Sequence, residues 1–272
     1  MNIEPFTSRD TARTRWRCFD PNKAIDPSAL RGDTLTCAQP GGKTARTKLT
    51  RVPECYAHGY NAAPAPHCRA AGTTAFAIAD ADGDMVAATQ TLGTWGGNFY
   101  VTPGLGFLYN DKLNSYGNDP NGYGARFPFA RHGSTITPTI VCKGTGRSKR
   151  AVMALGAAGN AWITAAVYQT LVGMIDQHLD PQAALELPRF LVGRTRRGAL
   201  GSTAAPQAAT MQMEDGFSPA VMQRLEALGY RTQIVSLPGE LREGYGAAVR
   251  IEKGRVTAGA DPRRAGAVGA IP

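Results

Sequence analysis

The strongest constraint on the fold is a pattern of alternating apolar residues that begins just after a glycine and two threonines. Its apolar residues are Phe76, Ile78, Met85 and Val86, and the dipeptide Asp82-Gly83 between the two pairs is a strong turn signal. The pattern predicts a β-hairpin whose first residue is Thr73.

Thr73 stands where a threonine can act as a nucleophile. A threonine hydroxyl is weak unless a base lies beside it, and one solution is to cut the chain before the threonine so that its own α-amine becomes that base. Gly72 has the backbone freedom that self-cleavage between Gly72 and Thr73 requires. On the residues alone, the simpler interpretation is two β-branched threonines that open a strand.

Nine short motifs follow between residue 73 and the C-terminus. They are Thr-Thr-Ala-Phe (73–76), Asp-Ala-Asp-Gly (80–83), Thr-Gln-Thr-Leu (89–92), Pro-Gly-Leu-Gly-Phe-Leu-Tyr-Asn (103–110), Thr-Pro-Thr-Ile-Val (137–141), Leu-Gly-Ala-Ala-Gly (155–159), Leu-Pro-Arg-Phe (187–190), Gly-Phe-Ser-Pro (216–219) and Ala-Asp-Pro-Arg-Arg (260–264). In these motifs and their order the chain resembles the small subunit of γ-glutamyltranspeptidases, which are N-terminal-nucleophile hydrolases.

The resemblance implies an α+β fold, the four-layer αββα sandwich of N-terminal-nucleophile hydrolases. It also implies a precursor that cuts itself before Thr73 and an acyl-enzyme on Thr73 whose acyl group passes to water or to an amine. Thr91 matches the threonine that hydrogen-bonds the nucleophile in this family. No cofactor and no metal are implied.

Gly159 and Asn160 match two consecutive glycines whose N–H groups stabilise the oxyanion in the family, and only the first glycine is kept. Such donors typically contribute about 3 kcal/mol each to the transition state. Independently of the resemblance, the apolar periodicity over 161–177 predicts a helix directly after this pair. The pair would then lie at a helix N-terminus, where N–H groups are free to meet an oxyanion, although an ordinary strand-to-helix turn explains the residues as well.

The substrate-binding positions depart from the family pattern. Gly93, Lys112 and Ser115 stand where the family holds the glutamyl ammonium, and a lysine there repels a cation. Ser134 and Thr135 match the paired serines that hold the α-carboxylate. The resemblance therefore implies a small-molecule amide substrate with altered glutamyl recognition, and Lys112 either meets a carboxylate or acyl acceptor or is a solvated loop lysine.

Two further departures lie near the same site. Ala75 replaces a histidine of the family, and residues 157–162 replace its Ser-Pro-Gly-Gly-Ser-Arg. These changes leave two alternatives open beside the altered amidohydrolase or acyltransferase. One is a catalytically degenerate, unprocessed homologue that acts as a binding or assembly partner. The other is a true γ-glutamyl transferase or glutathione hydrolase with a rearranged pocket.

The resemblance also divides the chain. Residues 1–72 correspond to the end of a large subunit followed by a long irregular segment, with 6–13 resembling its closing helix, and residues 73–272 form the small-subunit-like catalytic region. We expect a large-subunit partner or further upstream sequence to complete the sandwich. Without it, an apolar face should be exposed.

Composition narrows the classes of function. The chain has 272 residues, 43% of them hydrophobic, and a net charge of +9. The basic groups are short and lack interleaved aromatic residues, which favours attraction of small anions over nucleic-acid binding. No apolar run is long enough to predict a membrane span. Residues 1–6 show no signal-peptide pattern, whereas the resemblance implies a periplasmic or secreted protein.

The cysteines precede the candidate nucleophile with one exception. Cys18, Cys37, Cys55 and Cys68 suit two disulfides in an exported protein or free thiols. Cys55 and Cys68 also lie near His58 and His67, which are zinc-ligand types, but the spacing is not that of a known finger. Cys142, within an apolar run, is predicted to be buried.

The remaining pattern predicts several elements after the hairpin. Strands are expected over 136–142, 151–155, 232–235, 247–251 and 256–258, and short helices over 181–186 and 219–228. Residues 261–264, Asp-Pro-Arg-Arg, are predicted to fix the C-terminal segment through an aspartate–backbone or arginine–carboxylate contact.

Overall fold

The computed structural model describes residues 9–10, 13, 20–22, 71–94, 97–117, 125–193, 210–236, 244–263 and 266–270. The chain divides into two compact units, one formed by Met1–Val52 with Phe190–Pro238 and the other by Pro53–Arg189 with Gly239–Pro272. The four cysteines at 18, 37, 55 and 68, with their disulfide and zinc alternatives, lie outside the described residues. Of the helix expected over 6–13, residues 9, 10 and 13 are described, and they are helical.

The predicted hairpin is the first element of the larger unit. Strand β1 (Ala71–Ala79) pairs antiparallel with β2 (Met85–Thr94). In the turn between them, the Asp80 carboxylate accepts the N–H groups of Asp82 and Asp84, and Gly83 adopts φ +91°. The hairpin prediction is confirmed, but β1 begins two residues before Thr73, so the Gly72–Thr73 bond lies within the strand.

A four-stranded antiparallel sheet lies beside the hairpin. Its strands, in spatial order, are β3 (Thr139–Lys143), β4 (Arg150–Ala158), β8 (Tyr245–Glu252) and β9 (Arg255–Ala260). Two helices follow β4 in the chain, α1 (Trp162–Ile175) and α2 (Pro181–Glu186). The hairpin packs against β4 and β8, and both helices also pack against this sheet.

Alternating residues of β4 show how the layers are arranged. Leu155 and Ala157 belong to the buried core with Ile163 and Val167 of helix α1. Gly156 lies on the opposite face of the strand, toward the hairpin. A Cβ atom added there would lie 3.1 Å from Thr89 Oγ1 and 3.5 Å from the Ala75 Cβ atom. Helices, four-stranded sheet and hairpin therefore form three successive layers, and the absence of a side chain at Gly156 lets the hairpin approach the sheet closely.

The core between helices and sheet is built from small and aliphatic side chains. Its fully buried members are Leu155, Ala157, Ile163, Ala166, Val167, Met174, Ala184, Leu185 and Ala248. Complete burial of one leucine, isoleucine, valine or methionine side chain contributes about 1.5–3 kcal/mol. This core fixes β4 and the start of α1, the two elements that flank Gly159 and Asn160.

The other unit contains a second sheet among its described residues. Strand β5 (Phe190–Gly193) is antiparallel to β6 (Thr210–Glu214), which is parallel to β7 (Arg231–Ser236). Helix α3 (Pro219–Ala227) connects the two parallel strands, as such a pair requires. The Ser218 hydroxyl accepts the Val221 N–H at the start of the helix, and Gly229 with φ +96° follows its end.

Several predicted boundaries were wrong for identifiable reasons. Strand β4 continues to Ala158, three residues beyond the prediction, because burial between two layers sustains an Ala- and Gly-rich strand of low intrinsic propensity. Strand β3 begins at Thr139, directly after Pro138, which has no N–H to donate to a ladder. Strands β5 and β6 were not predicted, since each contains only one β-branched residue.

The prediction that Cys142 is buried was also wrong, because its side chain is exposed. Strand β3 is an edge strand of the four-stranded sheet, and the register shifts between Val141 and Cys142. A bulge of this kind redirects the following side chains, which the apolar run alone does not reveal.

The outer face of the hairpin exposes apolar side chains. Phe76, Ile78 and Val86 are 40%, 53% and 49% exposed, and Ile78 lies directly opposite Val86. An exposed apolar face was expected, and these side chains of the hairpin form one. Among the described residues, no helix combines the length and apolar character needed to cross a membrane.

Candidate active site

Thr73 and Thr91 form the centre of the candidate site. The hairpin register places them directly opposite each other, and their hydroxyl oxygens lie 2.8 Å apart. Opposite residues of an antiparallel pair present their side chains on the same face, so the register itself creates this contact. Thr73 is buried, with 6% of its surface exposed. The structure thus brings together the two threonines that the sequence singled out.

Gly93 completes a short chain of hydrogen bonds. Its N–H donates to Thr91 Oγ1 at 2.9 Å, and its φ of +97° lies in the region that favours glycine. With its oxygen already accepting from Gly93, the Thr91 hydroxyl can donate its proton to Thr73 Oγ1. That arrangement holds the Thr73 oxygen in one place and leaves a lone pair for attack on a carbonyl.

Asp111 and Lys112 occupy the space beside Gly93. A Cβ on Gly93 would collide with Asp111 Oδ1 and would lie 3.4 Å from Lys112 Cε. The Asp111 N–H donates to the Leu92 carbonyl at 2.9 Å, which fixes this approach. A side chain at position 93 would therefore require the Asp111 carboxylate to move, and the φ of +97° would strain it. Sequence reasoning missed Asp111, although a carboxylate directly after the motif at 103–110 was an available signal.

Lys112 and Ser115 lie at the two ends of one short 3₁₀ helix, Lys112–Ser115. The Lys112 N–H donates to Asn110 Oδ1 at 2.9 Å, which holds the start of this turn. Lys112 lies beside Gly93, and Ser115 lies one 3₁₀ turn further along the chain.

Gly159 and Asn160 connect the end of β4 to the start of α1. Gly159 adopts φ +123° and Asn160 φ +52°. A Cβ on Gly159 would lie 2.6 Å from the Gly244 nitrogen, so only glycine fits there. Asparagine tolerates left-handed backbone better than most residues, because its short polar side chain can hydrogen-bond locally. Asn160 can therefore keep the backbone shape of a second glycine.

Ser134 and Thr135 lie against the same helix entrance. The Thr135 hydroxyl donates to the Asn160 carbonyl at 2.7 Å, and Thr164 on α1 donates back to the Thr135 carbonyl at 3.3 Å. The Ser134 hydroxyl accepts the Ile136 N–H at 3.1 Å. Thr135 is thus held against Asn160, and Ser134 directly precedes it in the chain.

Tyr245 links this helix entrance to Thr73. Its hydroxyl donates to the Thr73 carbonyl at 2.9 Å, and its backbone is paired with Ala158, the residue before Gly159. Gly156 on β4 faces Ala75 on β1, which confirms that the end of β4 lies at the Thr73 end of the hairpin. Sequence reasoning missed Tyr245, because a contact across 172 residues leaves no local signal.

A cavity of about 350 Å³ lies on the Tyr245 side of Thr73. Its walls include residues 73–77 of β1, Tyr245–Ala248 of β8, Ala258–Asp261 at the end of β9, and residues 266–269. The volume falls in the range of small-molecule sites. Within the described ranges, no cluster of three or more His, Cys, Asp and Glu side chains could hold a metal ion.

A buried ionic cluster holds the two glycines that flank Tyr245. Asp261 binds Arg189 at 2.7 Å and Arg263 at 3.0 Å, and all three side chains are almost fully buried. Asp261 Oδ2 also accepts the Gly246 N–H at 2.8 Å, and Arg189 donates to the Gly244 carbonyl. The predicted aspartate–backbone and arginine–carboxylate contacts are both present, while Arg264 lies outside the described residues.

Solved structures of similar fold show the class of protein. The chain matches γ-glutamyltranspeptidase from Pseudomonas nitroreducens in complex with L-DON with a TM-score of 0.55 and 25% identity, over 73% of this chain and 100% of that one. It matches cephalosporin acylase from Bacillus halodurans with a TM-score of 0.58 and 28% identity, over 72% of this chain and 33% of that one. The fold is the α+β fold of the N-terminal-nucleophile hydrolases, as the sequence predicted.

The sequence comparisons identify the family. The family model for γ-glutamyltranspeptidase matches residues 40–271, and the chain belongs to this family. It is 35% identical to the glutathione hydrolase proenzyme of Pseudomonas sp. (strain A14) over 135 residues, which are 46% of this chain. It is 29% identical to the glutathione hydrolase-like YwrD proenzyme of Bacillus subtilis (strain 168) over 211 residues, which are 77% of this chain. The matches span 23% and 38% of these two relatives.

Proposed function

We propose that this chain is the catalytic part of an autoprocessing threonine amidohydrolase or acyltransferase, with Thr73 as its nucleophile. The observation that carries the proposal is the buried contact between Thr73 Oγ1 and Thr91 Oγ1 at 2.8 Å. The Gly93 N–H donates a hydrogen bond to Thr91 Oγ1. A nucleophile and an activating group within hydrogen-bond reach, the latter oriented by a third group, is the arrangement that covalent catalysis requires.

Maturation begins with attack of Thr73 Oγ1 on the Gly72 carbonyl carbon. The Gly72–Thr73 amide bond breaks, an ester forms between Gly72 and the threonine oxygen, and the hydroxyl proton ends on the released amine. Water then hydrolyses the ester, which leaves a Gly72 carboxylate and an N-terminal Thr73. The position of this bond inside β1 keeps both reacting residues in place during the step.

Turnover uses the amine that maturation releases. The α-amine accepts the hydroxyl proton while Thr73 Oγ1 attacks the substrate amide carbonyl. We assign the N–H groups of Gly159 and Asn160 to the oxyanion of the tetrahedral intermediate, where each donor contributes about 3 kcal/mol. The leaving amine takes the proton, and the acyl group on Thr73 passes to water or to an acceptor amine.

The acyl donor is proposed to be a small amide with a recognition group other than a plain glutamyl ammonium. Lys112 lies beside Gly93, at a position matching the family's ammonium site, and it favours an anionic group. Ser134 and Thr135 offer hydroxyls near the helix entrance. A substrate carboxylate held by one of these groups would fit the charge of this part of the molecule.

The Asp111 carboxylate favours a second candidate, true γ-glutamyl transfer. The Asp111 carboxylate occupies the space that a side chain at position 93 would fill. Asp111 could therefore supply the acceptor for a substrate ammonium group that Gly93 lacks. A γ-glutamyl anilide tests this: turnover that is lost in Asp111→Asn and kept in Lys112→Gln supports the glutamyl substrate. No release of the aniline by the mature protein excludes it.

We further propose that a large-subunit portion covers the outer face of the hairpin. Phe76, Ile78 and Val86 expose a contiguous apolar surface, and the chain spans less than two fifths of the two relatives compared. Burying these side chains against a partner layer would supply the fourth layer of the sandwich.

The central proposal is tested by replacing each of the two neighbouring threonines. Thr73→Ala should leave a single uncut chain and no turnover of any amide, whereas Thr74→Ala should still be cut between residues 72 and 73. Thr74 is the matched control because its side chain points to the exposed, opposite face of the strand. Cutting or turnover in Thr73→Ala would contradict the mechanism, and loss of cutting in Thr74→Ala alone would point to the other threonine. An uncut wild-type chain would instead support the degenerate homologue.

A further inference from the structure

Tyr245 contacts the backbone of Thr73, the proposed nucleophile, and has no role in the steps described above. Its hydroxyl donates to the Thr73 carbonyl oxygen at 2.9 Å, across 172 residues of sequence. From this geometry we propose that Tyr245 is a positioning residue for Thr73, and that it keeps the N-terminal threonine aligned after the Gly72–Thr73 bond has been cut. The inference rests on the proposed function of Thr73.

Cleavage changes what holds Thr73 in place. Before it, the residue is fixed by covalent bonds on both sides within β1. Afterwards its amine is free, and only its carbonyl side remains joined to the strand. The Tyr245 contact involves that carbonyl, so it persists in the mature protein, and it restrains the backbone of the residue whose hydroxyl contacts Thr91.

Tyr245 can act in this way because its own backbone is rigid. It is the first residue of β8, where it pairs with Ala158, and glycines stand on both sides of it. The Gly246 N–H and carbonyl are bound by the side chain and the N–H of Asp261. The Gly244 carbonyl accepts from Arg189, and Arg189 pairs with the Asp261 carboxylate. The buried ionic cluster therefore fixes the backbone from which the tyrosine reaches Thr73.

The same rigid segment lies against the candidate oxyanion donors. A Cβ on Gly159 would lie 2.6 Å from the Gly244 nitrogen, so these two backbones are in contact. The segment 244–246 therefore makes two contacts. Gly244 contacts Gly159 at the helix entrance, and Tyr245 contacts Thr73. A fixed distance between nucleophile and oxyanion donors is what the proposed transition state needs, because misplacement by about 1 Å can slow an enzyme about 100-fold.

The test compares Tyr245→Phe with Tyr168→Phe in protein expressed from the complete reading frame of its gene. Tyr168 is the control because its ring lies exposed on helix α1. For an amide substrate that the wild type turns over, we expect Tyr245→Phe to lower kcat about tenfold or more, with KM within about twofold and an unchanged melting temperature. The control should retain wild-type values. A merely structural tyrosine would change the melting temperature or KM and leave kcat unaltered.

A second variant separates the hydrogen bond from the ring. Incorporation of 3-fluorotyrosine at position 245 keeps both ring and donor, and kcat should stay within about twofold of wild type. The inference is overturned if mature Tyr245→Phe keeps wild-type kcat, or if the fluorinated protein loses as much activity as Tyr245→Phe. A wild-type chain that is neither cut nor active overturns the proposed function and this inference together, so the two failures are distinguishable.

Discussion

The hydroxyl oxygens of Thr73 and Thr91 face each other across the hairpin at 2.8 Å, and the hairpin register alone is enough to place them there. The two residues are 18 positions apart in the chain. A tight turn at Asp80–Asp84 brings them together, so the site depends on the geometry of that turn as much as on the two threonines. A slip of one residue in the register would turn one of the two side chains to the opposite face.

Removing the Thr91 hydroxyl should slow both maturation and turnover. Thr91→Val keeps the shape of the side chain but cannot bond Thr73 Oγ1, and we expect a loss of about tenfold or more in each rate. Thr91→Ser keeps the hydroxyl and should retain most of the activity. Mass spectrometry over time measures the first rate and amide turnover the second. Equal rates in Thr91→Val and wild type would show that this contact has no part in catalysis.

Substitution of Gly93 should destabilise the protein. Gly93→Ala places a Cβ against the Asp111 carboxylate at a left-handed backbone angle, so we expect a loss of about 2–4 kcal/mol in the free energy of unfolding. Gly254→Ala is the matched control, because its φ is +75° and no atom lies within 4 Å of the added carbon. It should cost only about 1 kcal/mol. Urea denaturation of both variants gives the comparison, and similar losses would show that strain rather than the Asp111 contact dominates.

The buried carboxylate of Asp261 should be far more important for stability than an exposed one. Asp261→Asn removes the negative charge that Arg189 and Arg263 share in a buried environment, and we expect a loss of about 3–5 kcal/mol. Glu252→Gln removes the partner of Arg250 at the surface, where the Glu252 side chain is 61% exposed, and should cost less than about 1 kcal/mol. A small loss for Asp261→Asn in thermal or urea unfolding would show that the two arginines are compensated in another way.

Turnover should depend on pH through the α-amine of mature Thr73. The amine acts as a base only when it is unprotonated, and an ordinary α-amine has a pKa of about 7.7–8.0. Activity should therefore be low in acid and rise with pH through that range. The pH profile of kcat/KM measures it. A profile that stays flat from pH 6 to 9 would show that another group takes the proton.

Local patterns predicted the hairpin, helix α1 and the pair Thr73–Thr91, because turn residues, apolar periodicity and family motifs all act over short stretches of chain. Tyr245 was missed because it reaches Thr73 across 172 residues of sequence, whereas Asp111 was missed despite its place directly after the motif at 103–110. The exposed Cys142 and the extension of β4 to Ala158 follow from sheet position and burial, which no local pattern encodes. The catalytic and binding roles of all the site residues stay predictions: Gly72, Thr73, Thr91, Gly93, Lys112, Ser115, Ser134, Thr135, Gly159 and Asn160.

The central claim is that Thr73 becomes an N-terminal residue. Denaturing mass spectrometry of the purified protein, before and after incubation, measures this without any knowledge of the substrate. We predict two fragments that divide between Gly72 and Thr73, and a single uncut species in Thr73→Ala. A wild-type protein that stays in one piece on prolonged incubation, also with a large-subunit partner present, would contradict it.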